Sequence, residues 1–267
     1  MLKTTGIIKL TLLENLRGQL LWASAIAGGL ILFLMATLSG ITLSHESRVI
    51  DVFSYFAADQ LLLFVAIISG SSICTNDFSS RGVAELFIPA GVQRNSLYLA
   101  RIFAFTCMLF CLAIPLFALK IFVLPHLADQ SVPTNHTVQF TMFLFSWLKS
   151  LAALAISGLL GSVVRPLYSI LATITLFSVG HLTSSFDSLL SSPHAISAAA
   201  ETSKTSAILY SVLKIWNPNL LVLESIKGEW ILPSPKNFTA AILWAISFIT
   251  IPIGLTFLKL KKMDLRS

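Results

Sequence analysis

Only 11% of this 267-residue chain is Asp, Glu, Lys or Arg, so each charge inside an apolar stretch invites a chemical question. Lys149 falls about ten residues into the run FTMFLFSWLKSLAALAISG. An ammonium group at that depth needs a cavity, an acidic partner or a route along which to snorkel. Asp187 is the acidic candidate within another apolar run, GHLTSSFDSLL, which also holds His181. His181 and Asp187 stand six residues apart and so do not share a helix face as a zinc pair would. With Thr183, Ser184 and Ser185 they read as the polar end of a helix. Lys149, His181 and Asp187 are therefore the candidates for a substrate path or a gate.

Other chemistry is excluded by what the sequence lacks. There is no Gly-x-x-x-x-Gly-Lys-Ser/Thr loop, so the chain does not itself bind ATP in that manner, and there is no His-Glu-x-x-His. Ser69, Ser71 and Ser72 flank Gly70 without a histidine placed to activate them. Cys74, Cys107 and Cys111 are odd in number, lie in apolar segments and lack zinc-type partners, which suits small core residues. No metal site is expected. The formal net charge of +6 and pI near 9.4 do not signal nucleic acid, because the cations cluster beside apolar runs, where they orient a membrane protein and attract anionic headgroups.

The elements that must position these residues follow from composition. Hydrophobic residues make up 55% of the chain and the mean hydropathy is +0.84. A soluble domain carries about 25% charged residues, more than twice the fraction here. The main solvent is thus lipid, and a span needs roughly 20 apolar residues. Six spans are expected, at about 19–43, 56–75, 97–124, 139–162, 166–188 and 238–258, the third interrupted by Pro115. The fold class is all-α, a single polytopic membrane domain over 1–267. Ahead of the first span, Ile8, Leu12, Leu13 and Leu16 recur at helical spacing opposite Lys9, Glu14 and Arg17, which predicts an amphipathic helix in the membrane interface. Between spans five and six, 189–237 predicts short helices at the outer surface, broken at Asn217-Pro218.

An even number of spans leaves both termini on one side. With that side cytoplasmic, it collects Lys3, Lys9, Arg17, Arg81, Arg94, Arg101, Arg165, Lys259, Lys261, Lys262 and Arg266. The outside collects Arg48, Lys204, Lys214, Lys227 and Lys236. Eleven cations against five place both termini inside.

The connection between spans two and three, NDFSSRGVAELFIPAGVQRNSLYLAR over 76–101, is longer than the two to eight residues a helical turn needs. Ser79 or Ser80 can cap a short helix through Glu85, Leu86, Phe87 and Ile88, which Pro89-Ala90-Gly91 would end. An apolar ridge with a charged rim on the cytoplasmic side has the form of a helix that docks in a partner's groove.

Asp77, Arg81-Gly82, Glu85-Leu86, Pro89, Arg94 and Arg101 together resemble permeases of the ABC-2 (type-2 exporter) family, although Val83 stands where that family often has Thr. KLTLLENLRGQLLW is similar to its interfacial entry helix, LGSVVRPLYSILATITLF to its second cytoplasmic turn, and WNPNLLVLESIKG to the segment before its last span. The resemblance implies a non-catalytic transmembrane subunit in a bacterial inner membrane. It implies a homodimer or a pair with a homologous permease, and two ATPase subunits that bind the ATP and magnesium. Arg81, Gly82, Glu85, Leu86, Phe87 and Arg94 would contact the ATPase. The alternative is a stand-alone secondary transporter or an intramembrane enzyme that uses Lys149, His181 and Asp187.

Overall fold

The computed structural model describes residues 2–17, 22–24, 26–30, 47–77, 92–118, 136–190 and 235–264; the side chains of 180–190 are outside that description. These residues form α1 (Leu2–Arg17), α2 (Ser47–Asp77), α3 (Arg94–Ala118), α4 (His136–Gly161), α5 (Pro166–Leu190) and α6 (Pro235–Asp264), with further helical residues at 22–24 and 26–30. No strand occurs among the described residues.

Among the described residues, four helices are long and apolar enough to cross a membrane: Tyr55–Cys74, Arg94–Ala118, Thr137–Gly161 and Phe238–Lys262. Twenty-five helical residues rise about 38 Å, more than the roughly 30 Å of a hydrocarbon core. Among the described residues, four of the six expected spans meet this standard. The fifth begins as expected, but its described apolar stretch, Pro166–Val179, is shorter. Of the first, only 22–24 and 26–30 are described. The expected docking helix in 78–91 and the expected outer helices in 191–234 lie outside the described residues.

Contacts fix the direction of each helix. Tyr55 of α2 meets Met142 of α4, Asp59 meets Ser146 and Lys149, and Gly70 meets Leu154 and Ser157. Residue numbers rise together along this seam, so α2 and α4 are parallel. The end of α3, Phe117, rests on Tyr55 and Phe143 near the beginnings of α2 and α4, while Tyr98 lies beside Gly158 near the end of α4. Hence α3 runs the other way. A tight turn at 162–165, closed by Val164 N–H donating to Leu160 C=O at 2.9 Å, reverses α4 into α5. Pro166 opens α5, where its fixed φ is already helical and its missing N–H is no loss. In α6, Phe238 packs edge-on against Phe145 and Lys259 reaches the Ser162 carbonyl, so α6 is parallel to α4.

Lipid offers little hydrophobic drive for one helix to bind another, so close approach of small residues does that work. A Cβ on Gly70 would collide with Ser157 Oγ and the Leu154 carbonyl, and one on Gly161 would come within 2.8 Å of the Ser71 carbonyl oxygen. Ala153, Ser157 and Gly161 recur every four residues and form one small-residue stripe on α4. Gly28 plays a similar part at the first span, where a Cβ would lie 2.6 Å from Leu116 Cδ2. Around this seam Leu62, Ile67, Tyr98, Leu109 and Leu154 are wholly buried. The outward residues are apolar too: Leu167, Tyr168 and Leu171 of α5, and Leu243, Ile251 and Leu258 of α6, are exposed. Such continuous apolar exposure suits hydrocarbon surroundings and not water.

The helix α1 packs on the base of α3, where Ile7 joins Leu97 and Ala100 in a small cluster. On this helix Ile7 and Thr11 are buried, Leu13 is exposed, and Glu14 reaches Arg101 of α3.

Gly70→Ala should therefore destabilise the protein in detergent by about 1–3 kcal/mol, as overpacking does. Gly254→Ala, with nothing within 4 Å of the new Cβ, should be neutral or stabilising by up to about 1 kcal/mol. Thermal unfolding of the two variants, with opposite or clearly separated shifts, checks this reading of the seam.

Candidate functional site

Each of two parallel helices carries a single charge within its apolar span: Asp59 in Tyr55–Cys74 and Lys149 in Thr137–Gly161. Twelve residues of that second span lie on either side of Lys149, about 18 Å of helix each way. Asp59 is thirteen residues into α2. The register set at Tyr55 and at Gly70 brings the two together.

Lys149 Nζ donates to Asp59 Oδ2 at 2.8 Å, and Ser146 Oγ donates to Asp59 Oδ1 at 2.7 Å. Both carboxylate oxygens therefore have a donor. The side chains of Lys149 and Asp59 are 5% and 6% exposed. Ser146 lies three residues before Lys149, so both reach the same neighbour from one face of α4. One turn toward the beginnings of α2 and α4, edge-to-face contacts join Tyr55 to Phe117 and Phe117 to Phe143. Phe110 meets both Phe143 and Trp147 in the same way. These rings bind α2, α3 and α4 beside the charges and fill space with apolar surface.

A carboxylate and an ammonium that face only apolar side chains would each carry a desolvation penalty of several kcal/mol; pairing with good geometry offsets much of it. Two roles fit this chemistry. The pair fastens α2 to α4, and either charge can exchange its partner for an ion or a charged substrate group if the helices part.

The candidate residues from sequence are distributed unevenly. Lys149 lies near the middle of its helix as expected and is paired with Asp59 of α2. His181 and Asp187 are on α5, with side chains outside the described residues. Arg81, Gly82, Glu85, Leu86 and Phe87 lie outside them too, whereas Arg94 opens α3. Asp59 was missed by sequence reasoning. The available signal was that two spans each hold one charge, of opposite sign. Among the described residues no group of three His, Cys, Asp or Glu side chains could hold a metal. Cys74 is buried, Cys107 half-buried and Cys111 exposed, and none of the three forms a disulfide.

A second charged pair lies at one end of the bundle. Arg101 Nη1 donates to Glu14 Oε2 at 2.8 Å, with the arginine buried and the carboxylate open to its surroundings. By helix direction, that end also carries Lys9, Arg17, Arg94, Arg165, Lys259, Lys261 and Lys262. No family model, curated protein or solved structure matches this chain.

Lys149→Met alone should destabilise the protein by about 3–5 kcal/mol, because it leaves Asp59 buried without its counter-ion. Asp59→Leu combined with Lys149→Met should recover most of that loss. A double-mutant cycle read by denaturant unfolding in detergent checks it, and additive losses would show that the two charges do not depend on one another.

Proposed function

We propose that this chain is a multi-pass, non-catalytic membrane subunit of an ATP-driven transporter of the ABC-2 exporter type, with both termini cytoplasmic in a bacterial inner membrane. The observation that carries this reading is the gathering of cations at one end of the helix bundle. The segment 78–91 leaves α2 and enters α3 at that same end, and α1, the turn 162–165 and the end of α6 meet there. Under the positive-inside rule such an end is cytoplasmic. A docking segment bearing Arg81, Gly82, Glu85, Leu86 and Phe87 would then face a soluble ATPase, with Arg94 anchoring its exit.

In this reading two ATPase subunits hold ATP and magnesium, and two permease chains, identical or homologous, form the membrane path. Closure of the ATPase pair pulls on 78–91, whose two ends are the C-terminus of α2 and the N-terminus of α3. The α2–α4 seam, held by backbone approach at Gly70 and Gly161, transmits that pull as a rigid-body motion and not as local bending. Glu85→Ala with Phe87→Ala, in the complex with its ATPase, should lower permease-dependent ATP hydrolysis at least tenfold while membrane insertion is unchanged. Undiminished coupled hydrolysis in that variant would overturn the assignment.

A second reading is favoured by the Asp59–Lys149 pair: a stand-alone transporter in which an ion or substrate exchanges with one partner of the pair. Transport by the chain alone in vesicles, driven by an ion gradient without ATP and lost on Lys149→Met, would select it over the first.

A further inference from the structure

The outward face of α1 combines charge and apolar surface in a way the packing against α3 does not use. Gly6, Lys9, Leu10, Leu13, Glu14 and Arg17 border an open groove of about 580 Å³. Lys9, Leu13 and Arg17 follow one another at four-residue spacing and make one ridge along the helix. Gly6 leaves one end of the groove clear, since nothing lies within 4 Å of where its Cβ would be. Leu10 and Leu13 are 49% and 46% exposed.

The charges in this groove do not cancel. Glu14 is engaged by Arg101 at 2.8 Å, so its negative charge is answered from α3. Lys9 and Arg17 remain as two positive charges beside two exposed leucines. A phosphodiester fits the cations, because a guanidinium fork and an ammonium group are both strong donors to phosphate oxygens. An acyl chain fits the leucines. Both features belong to one molecule only if that molecule is a phospholipid of net negative charge.

We propose that this face of α1 is a binding site for one anionic phospholipid, with its phosphate between Lys9 and Arg17 and its upper acyl chain on Leu10 and Leu13. The inference rests on reading α1 as a helix at the membrane boundary and does not need the ATPase partnership. Through the Arg101–Glu14 pair, the site connects lipid charge to the base of α3.

The test uses the full chain in nanodiscs of phosphatidylcholine containing fluorescent phosphatidylglycerol, with lipid exchange measured at fixed salt. A cation close to an anionic lipid strengthens binding about fivefold, so Lys9→Gln with Arg17→Gln should weaken phosphatidylglycerol binding about thirtyfold. Leu10→Ser with Leu13→Ser should weaken phosphatidylglycerol and phosphatidylcholine alike. Lys261→Gln with Lys262→Gln, a cation pair at the same end of the bundle, should leave the preference intact. The proposal is overturned if the Lys9/Arg17 variant keeps its preference, or if the Lys261/Lys262 variant loses as much. It is also overturned if inorganic phosphate competes as well as the lipid, since the leucines would then contribute nothing. Release of the chain from membranes by alkaline carbonate would instead defeat the membrane reading itself, a separate result.

Discussion

Asp59 and Lys149 lie buried in an apolar bundle, where each offsets much of the other's desolvation penalty only while they stay in contact. That constraint reaches well beyond two side chains. It requires α2 and α4 to be parallel, to keep one register and to approach closely enough for a short side chain to meet a long one. Tyr55 and the aromatic contacts beyond it hold the register on one side of the pair. Gly70, Ser157, Gly161 and Ser71 hold it on the other, where the two backbones come nearly into contact. The remaining helices are arranged around this seam: α3 and α5 run against it, and α6 runs with it on the far face of α4.

The middle of the bundle and its cation-bearing end differ in kind. Beside the Asp59–Lys149 pair the contacts are aromatic and the charges are enclosed. At the cation-bearing end the charges are numerous and mostly positive, and the pair of Glu14 with Arg101 has an exposed carboxylate. An enclosed pair is insensitive to salt and strict about geometry; an open one is screened and tolerant. A bundle with a strict middle and a forgiving end is suited to receive force or ligands at that end without losing its internal register.

The helical class, the approximate positions of the long helices and the mid-span depth of Lys149 were legible in the sequence, because continuous apolar runs leave few alternatives. The spans at 139–162 and 238–258 differ from the observed Thr137–Gly161 and Phe238–Lys262 by a few residues at their ends. What a linear reading lacked was adjacency. Asp59 drew no notice because charge pairing between helices depends on which faces meet, and along this seam small residues such as Gly70, Ser157 and Gly161 set how closely they approach.

The central lysine also bears on how the chain is made. An isolated helix with Lys149 at its middle meets an insertion penalty of about 2.5–3.5 kcal/mol, which its apolar neighbours must outweigh. Synthesis proceeds from the N-terminus, so α2 and its Asp59 are already present when α4 emerges. The acidic helix can therefore act as a waiting receptor that retains the basic one in the bilayer. Ribosomal order thereby becomes part of the folding code, and a chain whose α2 failed to insert would display an unneutralised lysine, a mark by which cellular quality control can recognise it.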